Sequence, residues 1–240
     1  MRNCKSLLVF SKYILLAVLT TALPARAVVN VDQTRIVFAS DSLAQAIALS
    51  NDAKTPTIVQ VWVDDGDIHS TPDKNNTPII VLPPVFKMSP QEIRSLRVLL
   101  TSRNNLVKGK ESLYWLNIYQ IPSLNAEQKK ADKKIILPLR LRIKVFVRPE
   151  GLEAPKPADQ QKLTFSSQGG QLTVDNPTPW FMSMSINAGI ENFSDVLAPP
   201  MGKVTLPAKS GDLAGRKITY KIIDDRGNNV FYNAEVAAGH

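Results

Sequence analysis

Residues 137–149 read LPLRLRIKVFVRP, with an apolar residue at every odd position from Leu137 to Val147 and Arg140, Arg142, Lys144 and Arg148 at most of the even ones. Alternation with period two specifies a β-strand with one apolar face, and the same parity already holds at Ile135. At about 3.3 Å per residue the thirteen-residue stretch spans roughly 43 Å, against roughly 17–20 Å for an ordinary sandwich strand. Part of so long an apolar row has to be met by something other than its own small domain. From the residues alone, Ile135–Leu139 is either a loop folded back on that domain or a surface offered to a partner.

The rest of the chain carries the same kind of signal. RIVF, AIALSN, TIVQVWVDD, SLRVLL and SLYWLNIYQIP precede the long strand, and KLTFSS, QLTVDN, FMSMSINA, GKVTLP, KITYKIID and NVFYNAEV follow it. All read as short β segments separated by turn residues. SPQEIRSL fits one helical turn or a loop entering a strand, and no long amphipathic helix is evident. Between the two sets lies RPEGLEAPKPADQ, whose prolines and charges mark a linker. The expected class is all-β, with two β-sandwiches over residues 28–148 and 153–240 and a hinge at 149–152.

Residues 1–27 differ in composition. Arg2, Lys5 and Lys12 precede an apolar run from Tyr13 to Leu19, which ends in ALPARA. This is the pattern of a secretory signal peptide, too short to span a bilayer, with cleavage expected after Ala27. Cleavage would remove Cys4, the only cysteine, and four bases, lowering the formal charge from +8 to +4. An exported chain of about 213 residues without disulfides has to rely on its hydrophobic cores. A mildly basic balance gives no argument for nucleic acid.

Few residues offer chemistry. His69 sits in the polar DDGDIHSTP loop and His240 is the last residue, so a Ser-His-Asp site lacks a frame. DDGD lacks the spaced ligands of a calcium loop and reads as a solvated turn. There is no zinc spacing, and there is no phosphate loop that would bind a nucleotide. No pair of carboxylates stands out for an exported hydrolase. A secreted adhesin or structural immunoglobulin-like protein remains an alternative to a binding protein with no cofactor.

Six stretches, taken in order, carry a resemblance: DQTRIVF, LPPVFKMSP, KESLYWLNIYQIP, RIKVFVRP followed by GL, VDNPTPWFMSM and IIDDRGN. Together they resemble the periplasmic chaperones of the chaperone–usher pathway, which assemble bacterial fimbriae. The resemblance implies two immunoglobulin-like sandwiches set as a boomerang, with fimbrial subunits and an outer-membrane usher as partners, a self-capping dimer as a further state, and no enzymatic activity.

The resemblance also implies roles for individual residues. Ile135, Leu137 and Leu139 would be the donor residues that complete a subunit lacking its last strand. Arg35 and Lys144 match the anchor for the subunit's C-terminal carboxylate. Glu111, Arg148 and Asp225 match an interdomain ion cluster, with Asp224 as the neighbouring alternative. The 13 positions from Pro122 to Lys134 place the chain in the class with a short loop before the donor strand, which serves rod-shaped adhesive fimbriae. Pro138 departs from the pattern, because it has no N–H to give to a ladder inside the donor segment.

Overall fold

Alternating apolar residues, with turn residues between the runs, fold into four sheets. The computed structural model describes residues 29–74, 76–104, 106–123 and 137–239. The expected signal segment 1–27, residues 124–134 of the loop before the long strand, Ile135 and His240 lie outside the described residues.

The first domain contains β1 (Val29–Val31), β2 (Arg35–Phe38), β3 (Ala44–Asn51), β4 (Thr57–Asp64), β5 (Ile79–Leu82), β6 (Val85–Met88), β7 (Ile93–Leu100), β8 (Ser112–Pro122) and β9 (Leu139–Val147). One sheet has the order β1-β3-β7-β5, and the other β2-β9-β8-β4-β6. Their facing rows, among them Leu49, Leu96, Val61, Leu116, Ile118 and Val145, are buried in one core. The chain changes sheets between β1 and β2, so β1 pairs with β3 while β2 pairs with β9.

The second domain contains a single helical turn, α1 (Pro157–Gln160), then β10 (Thr164–Gln168), β11 (Gln171–Asn176), β12 (Met182–Asn187), β13 (Asn192–Ala198), β14 (Gly202–Pro207), β15 (Lys217–Ile223), β16 (Asn229–Glu235) and β17 (Ala237–Ala238). Its sheets run β14-β11-β10-β17 and β13-β12-β15-β16 and enclose a separate core around Leu172, Val174, Met184, Ile186 and Tyr220. Two sandwiches with separate cores match the all-β expectation.

Five strands and α1 go beyond the sequence reading, of which β1 and β17 are only three and two residues long. Pro83 and Pro84 interrupt β5 and β6 and suppress the alternation signal there. β13 carries a bulge: its register with β12 shifts between Met184 and Ile186, leaving Ser194 and Asp195 opposite Ser185. α1 lies inside the stretch that reads as a linker. Gln160 is buried and takes hydrogen bonds from the Tyr220 and Tyr232 hydroxyls, so the end of that stretch belongs to the second domain's packing.

Candidate functional site: an open strand edge beside the domain junction

β9 pairs with β8 along its whole length, from Gln120 opposite Leu139 to Ser112 opposite Val147. Its other edge pairs with β2 only from Lys144 to Val147, opposite Arg35 to Phe38. Over Leu139–Ile143 that edge has no strand beside it among the described residues. The apolar row grades along the same line. Val145 and Val147 are fully buried, Ile143 is 7% exposed, Leu141 packs against the rim of the core, Leu139 is 40% exposed and Leu137 76%. The ladder with β8 starts at Leu139, so Pro138 stands just outside it, where a missing N–H costs no bond within this sheet.

The polar face of β9 is not a free basic surface. Arg142 Nη2 lies 2.6 Å from Asp64 Oδ1 and Arg140 Nη2 3.5 Å from Oδ2. Asp64 is only 4% exposed. It also accepts hydrogen bonds from Asn117 Nδ2 (2.6 Å), the Ser70 hydroxyl (2.9 Å) and the Gly66 N–H (2.8 Å). Burial pushes its carboxyl up, but those three donors and the Arg142 charge together hold it below its ordinary range. The first residue of DDGD is therefore a buried acceptor rather than part of a solvated turn, as its fellows Asp65 and Asp67 are. Sequence reasoning missed it because its partners come from β8, β9 and a loop. His69 is exposed, and its backbone N–H donates to Asp67 Oδ1 at 2.8 Å.

Arg35 and Lys144 are cross-strand neighbours in the β2–β9 ladder. Both turn toward the second domain. Arg35 is buried, donates from Nη1 to the Ile223 carbonyl at 2.9 Å and lies over the Phe146 ring. Burial lowers its pKa against the opposing pull of Asp225, Asp224 and Glu111. Its Nε has no acceptor. Lys144 sits over the Trp115 ring and pairs with Asp195 at 2.9 Å, the lysine side chain being 15% exposed and the aspartate 83%. Asp195 occupies the β13 bulge with a left-handed φ of 53°.

Arg148, just past β9, joins the domains. Its Nε donates to Glu111 Oε1 at 3.1 Å and its Nη2 to Asp225 Oδ1 at 2.8 Å. Glu111 Oε2 accepts the Phe181 N–H from the second domain at 3.0 Å. Asp224 instead closes its own turn by accepting the Arg226 and Asn228 N–H groups, so Asp225 is the acid that reaches across. At Gly227 in that turn φ is 86°, and a Cβ there would lie 3.1 Å from Thr34 Oγ1 of the first domain. Burial pushes the Glu111 carboxyl from 4.5 to about 7, although Arg148 and the Phe181 N–H pull it down.

Of the residues singled out in the sequence, the structure gathers Arg35, Lys144, Glu111, Arg148 and Asp225 at the domain junction. Leu139 is the first residue of β9, at its far end, and Leu137 lies two residues before it. Ile135 lies outside the described residues.

The chain is similar to known proteins in sequence and fold. Residues 28–153 match the N-terminal domain of the PapD pili and flagellar-assembly chaperones, and residues 158–234 match the C-terminal domain. The chaperone protein MrkB of Klebsiella pneumoniae is 34% identical over 205 residues, covering 83% of this chain and 88% of MrkB. The chaperone protein FimC of Escherichia coli K12 is 33% identical, covering 85% and 82%. The fold also matches a chain in the solved complex of the Salmonella enterica SafA pilin with the SafB chaperone, with a TM-score of 0.76, 23% identity and coverage of 89% and 98%. Both sandwiches are thus accounted for by one family: the chain belongs to the PapD family of pilus-assembly chaperones, which are binding proteins and not enzymes.

Proposed function

We propose that this chaperone caps fimbrial subunits by donating the open stretch of β9 to a subunit fold that lacks its last strand. The observation that carries this reading is the change of pairing at Lys144. Beyond that point the backbone of β9 has one free edge, and Leu139 and Leu137 continue the core's apolar row into solvent. A subunit strand laid along that edge would satisfy the backbone and take the leucines, with Ile135, into its own core. Burial of three aliphatic side chains is worth about 5–9 kcal/mol before the entropy of association is subtracted. Arg35 and Lys144 stand where the added strand would end. A terminal carboxylate there would set its register, with Lys144 released from Asp195.

The setting of this activity is the periplasm, reached through the 1–27 signal segment, with an outer-membrane usher receiving the capped subunit. An exposed edge strand also favours self-association, so a self-capping dimer fits the free protein. The division into sandwiches at 28–148 and 153–240 with a hinge at 149–152 belongs to the same reading. No helix among the described residues is long and apolar enough to cross a membrane.

Co-purification from periplasm tests the reading. The chain should emerge in a one-to-one complex with a fimbrial subunit, and Leu137→Glu with Leu139→Glu should abolish that complex while the melting temperature holds. A double variant that still captures subunit at the wild-type level would remove the donor strand from the account.

A further inference from the structure

The open stretch of β9 has a second unusual property: its polar face is clamped across two neighbouring strands. The sheet order is β9-β8-β4, so a side chain of β9 has to pass over β8 to reach β4. Arg140 and Arg142 do this. Arg140 lies over the Trp62 ring of β4 at 4.8 Å, and Arg142 over the Trp115 ring of β8 at 4.9 Å. Both guanidinium groups then converge on Asp64 at the end of β4. Arg140 makes two further ties, from Nε to Asn117 Oδ1 at 2.8 Å and from Nη1 to the Ile68 carbonyl at 2.7 Å. The Ser70 hydroxyl that donates to Asp64 accepts the Trp62 indole N–H at 3.0 Å, which fixes the loop end of the clamp.

The two clamped residues, Arg140 and Arg142, lie within the stretch whose other edge is unpaired. A strand held by a single ladder opens locally more readily than one held by two, and ordering it on binding costs conformational entropy. Cation–π stacking and a buried, fully hydrogen-bonded carboxylate restrain the same backbone from its polar face. We propose that Asp64, through Arg140 and Arg142, is a positioning device that keeps the open half of β9 extended and ready to accept a subunit strand before any subunit arrives. This deepens the donor-strand reading and rests on it, since only a donated strand profits from being ordered in advance.

The test uses the whole mature chain, with amide hydrogen exchange as its first readout. In Asp64→Asn, amides of Leu139–Ile143 that bond to β8 should exchange at least about tenfold faster, while those of Lys144–Val147 stay near wild type. Arg140→Gln with Arg142→Gln should do the same. That variant keeps Asp64 supplied by Asn117, Ser70 and Gly66, so it guards against an unfolded Asp64→Asn. Recovery of the co-purifying subunit should fall roughly tenfold in both, although Leu137 and Leu139 are untouched. Unchanged exchange, faster exchange spread equally over Lys144–Val147, or lost protection with full subunit recovery would each overturn the proposal. Failure of the donor-strand reading is separately visible. It would show in the wild-type arm as absence of a captured subunit, or as capture that survives Leu137→Glu with Leu139→Glu.

Discussion

Lys144 divides β9 into two stretches with one sequence pattern and two environments. From Lys144 to Val147 the strand is paired on both edges and its odd residues are core. From Leu139 to Ile143 the same alternation continues, but one edge is open and exposure climbs toward Leu137. Alternation therefore specifies a strand and its apolar face. It does not specify what covers that face, which is left to the facing sheet, or what pairs with its edge, which depends on where β2 begins.

The largest expected effects come from putting one substitution on each side of that divide. Val145→Glu buries a charge without a partner and should cost more than about 4 kcal/mol, which would leave the first domain unfolded. Leu137→Glu with Leu139→Glu should shift stability by less than about 0.5 kcal/mol, as exposed substitutions do, while subunit capture is lost. Thermal unfolding and co-purification of both variants check this. If the leucine double variant unfolds as Val145→Glu does, the two stretches are one core and the comparison fails.

Next in size is the anchor at the divide itself. Removing one partner of a buried charge pair with a terminal carboxylate costs about 2–5 kcal/mol, or roughly 30- to several-thousand-fold in affinity. Lys144→Ala should show this loss toward a peptide of the subunit's C-terminal strand. Arg35→Ala should show it together with a looser domain junction, since Arg35 also holds the Ile223 carbonyl. Amidating the peptide should equalise wild type and Lys144→Ala. Lys203, whose pairing with Asp175 is exposed, is a suitable control base. Arg142 is not, because the structure shows it bound to buried Asp64 rather than free at the rim. An affinity indifferent to amidation would remove the anchor.

The two ends of β9 also differ in their carboxylates. Each end has a buried acid facing arginine, yet Asp64 is held below its ordinary range and Glu111 is pushed up to about 7. Burial raises both, and it prevails at Glu111, whereas at Asp64 three neutral donors and the Arg142 charge outweigh it. Glu111 has one backbone donor and shares Arg148 with Asp225. The pH dependences follow with opposite sign. Between pH 4.5 and about 7 the folded state holds the Glu111 proton more tightly than the unfolded state does. Its contribution is thus complete below 4.5 and is lost as pH rises through 7, a change on the order of 3 kcal/mol. For Asp64 the contribution is present above the unfolded value of 3.8 and is lost as pH falls through the lower folded value. Denaturant unfolding of wild type and Glu111→Gln across pH 4.5–7 checks the first sign, with Arg148, Arg35, Asp225 and Asp224 common to both proteins. A wild type that gains stability relative to Glu111→Gln as pH rises would mean that Arg148 keeps Glu111 ionised.

How much of this was legible in the sequence depends on the range of the interactions. β8 and β11 match the runs read from alternation residue for residue, because period two is a local property. β5 and β6 were hidden by Pro83 and Pro84, and β13 by its bulge, since both break the period. The pairing of Asp225 rather than Asp224 with Arg148 depends on the turn that Asp224 closes. Asp64 was read as turn polarity because, beside Gly66 and Ser70 of its own loop, its partners Asn117 and Arg142 come from β8 and β9. The gathering of Arg35 and Lys144 was available only through family resemblance. Charge alone does not distinguish them among the 29 Lys and Arg residues of the chain.

The smallest effect concerns the group that holds Lys144 in the free protein. Asp195 is a carboxylate at 2.9 Å from the Nζ, in the place a subunit's terminal carboxylate would compete for. It is exposed and sits in a left-handed bulge, so displacing it disturbs no core. An ion pair this exposed on one side is worth about 0.2–1 kcal/mol, and asparagine tolerates the left-handed conformation as aspartate does. Asp195→Asn should therefore leave the bulge intact and raise affinity for the carboxylate-ended peptide by about 1.5- to 5-fold. The gain should shrink with added salt and vanish for the amidated peptide. An equal gain for both peptides would mean that Asp195 merely crowds the end of the strand. A loss of affinity would mean that Asp195 aims Lys144 rather than occupying it, and the divide at Lys144 would then be maintained by the second domain as well as by β2.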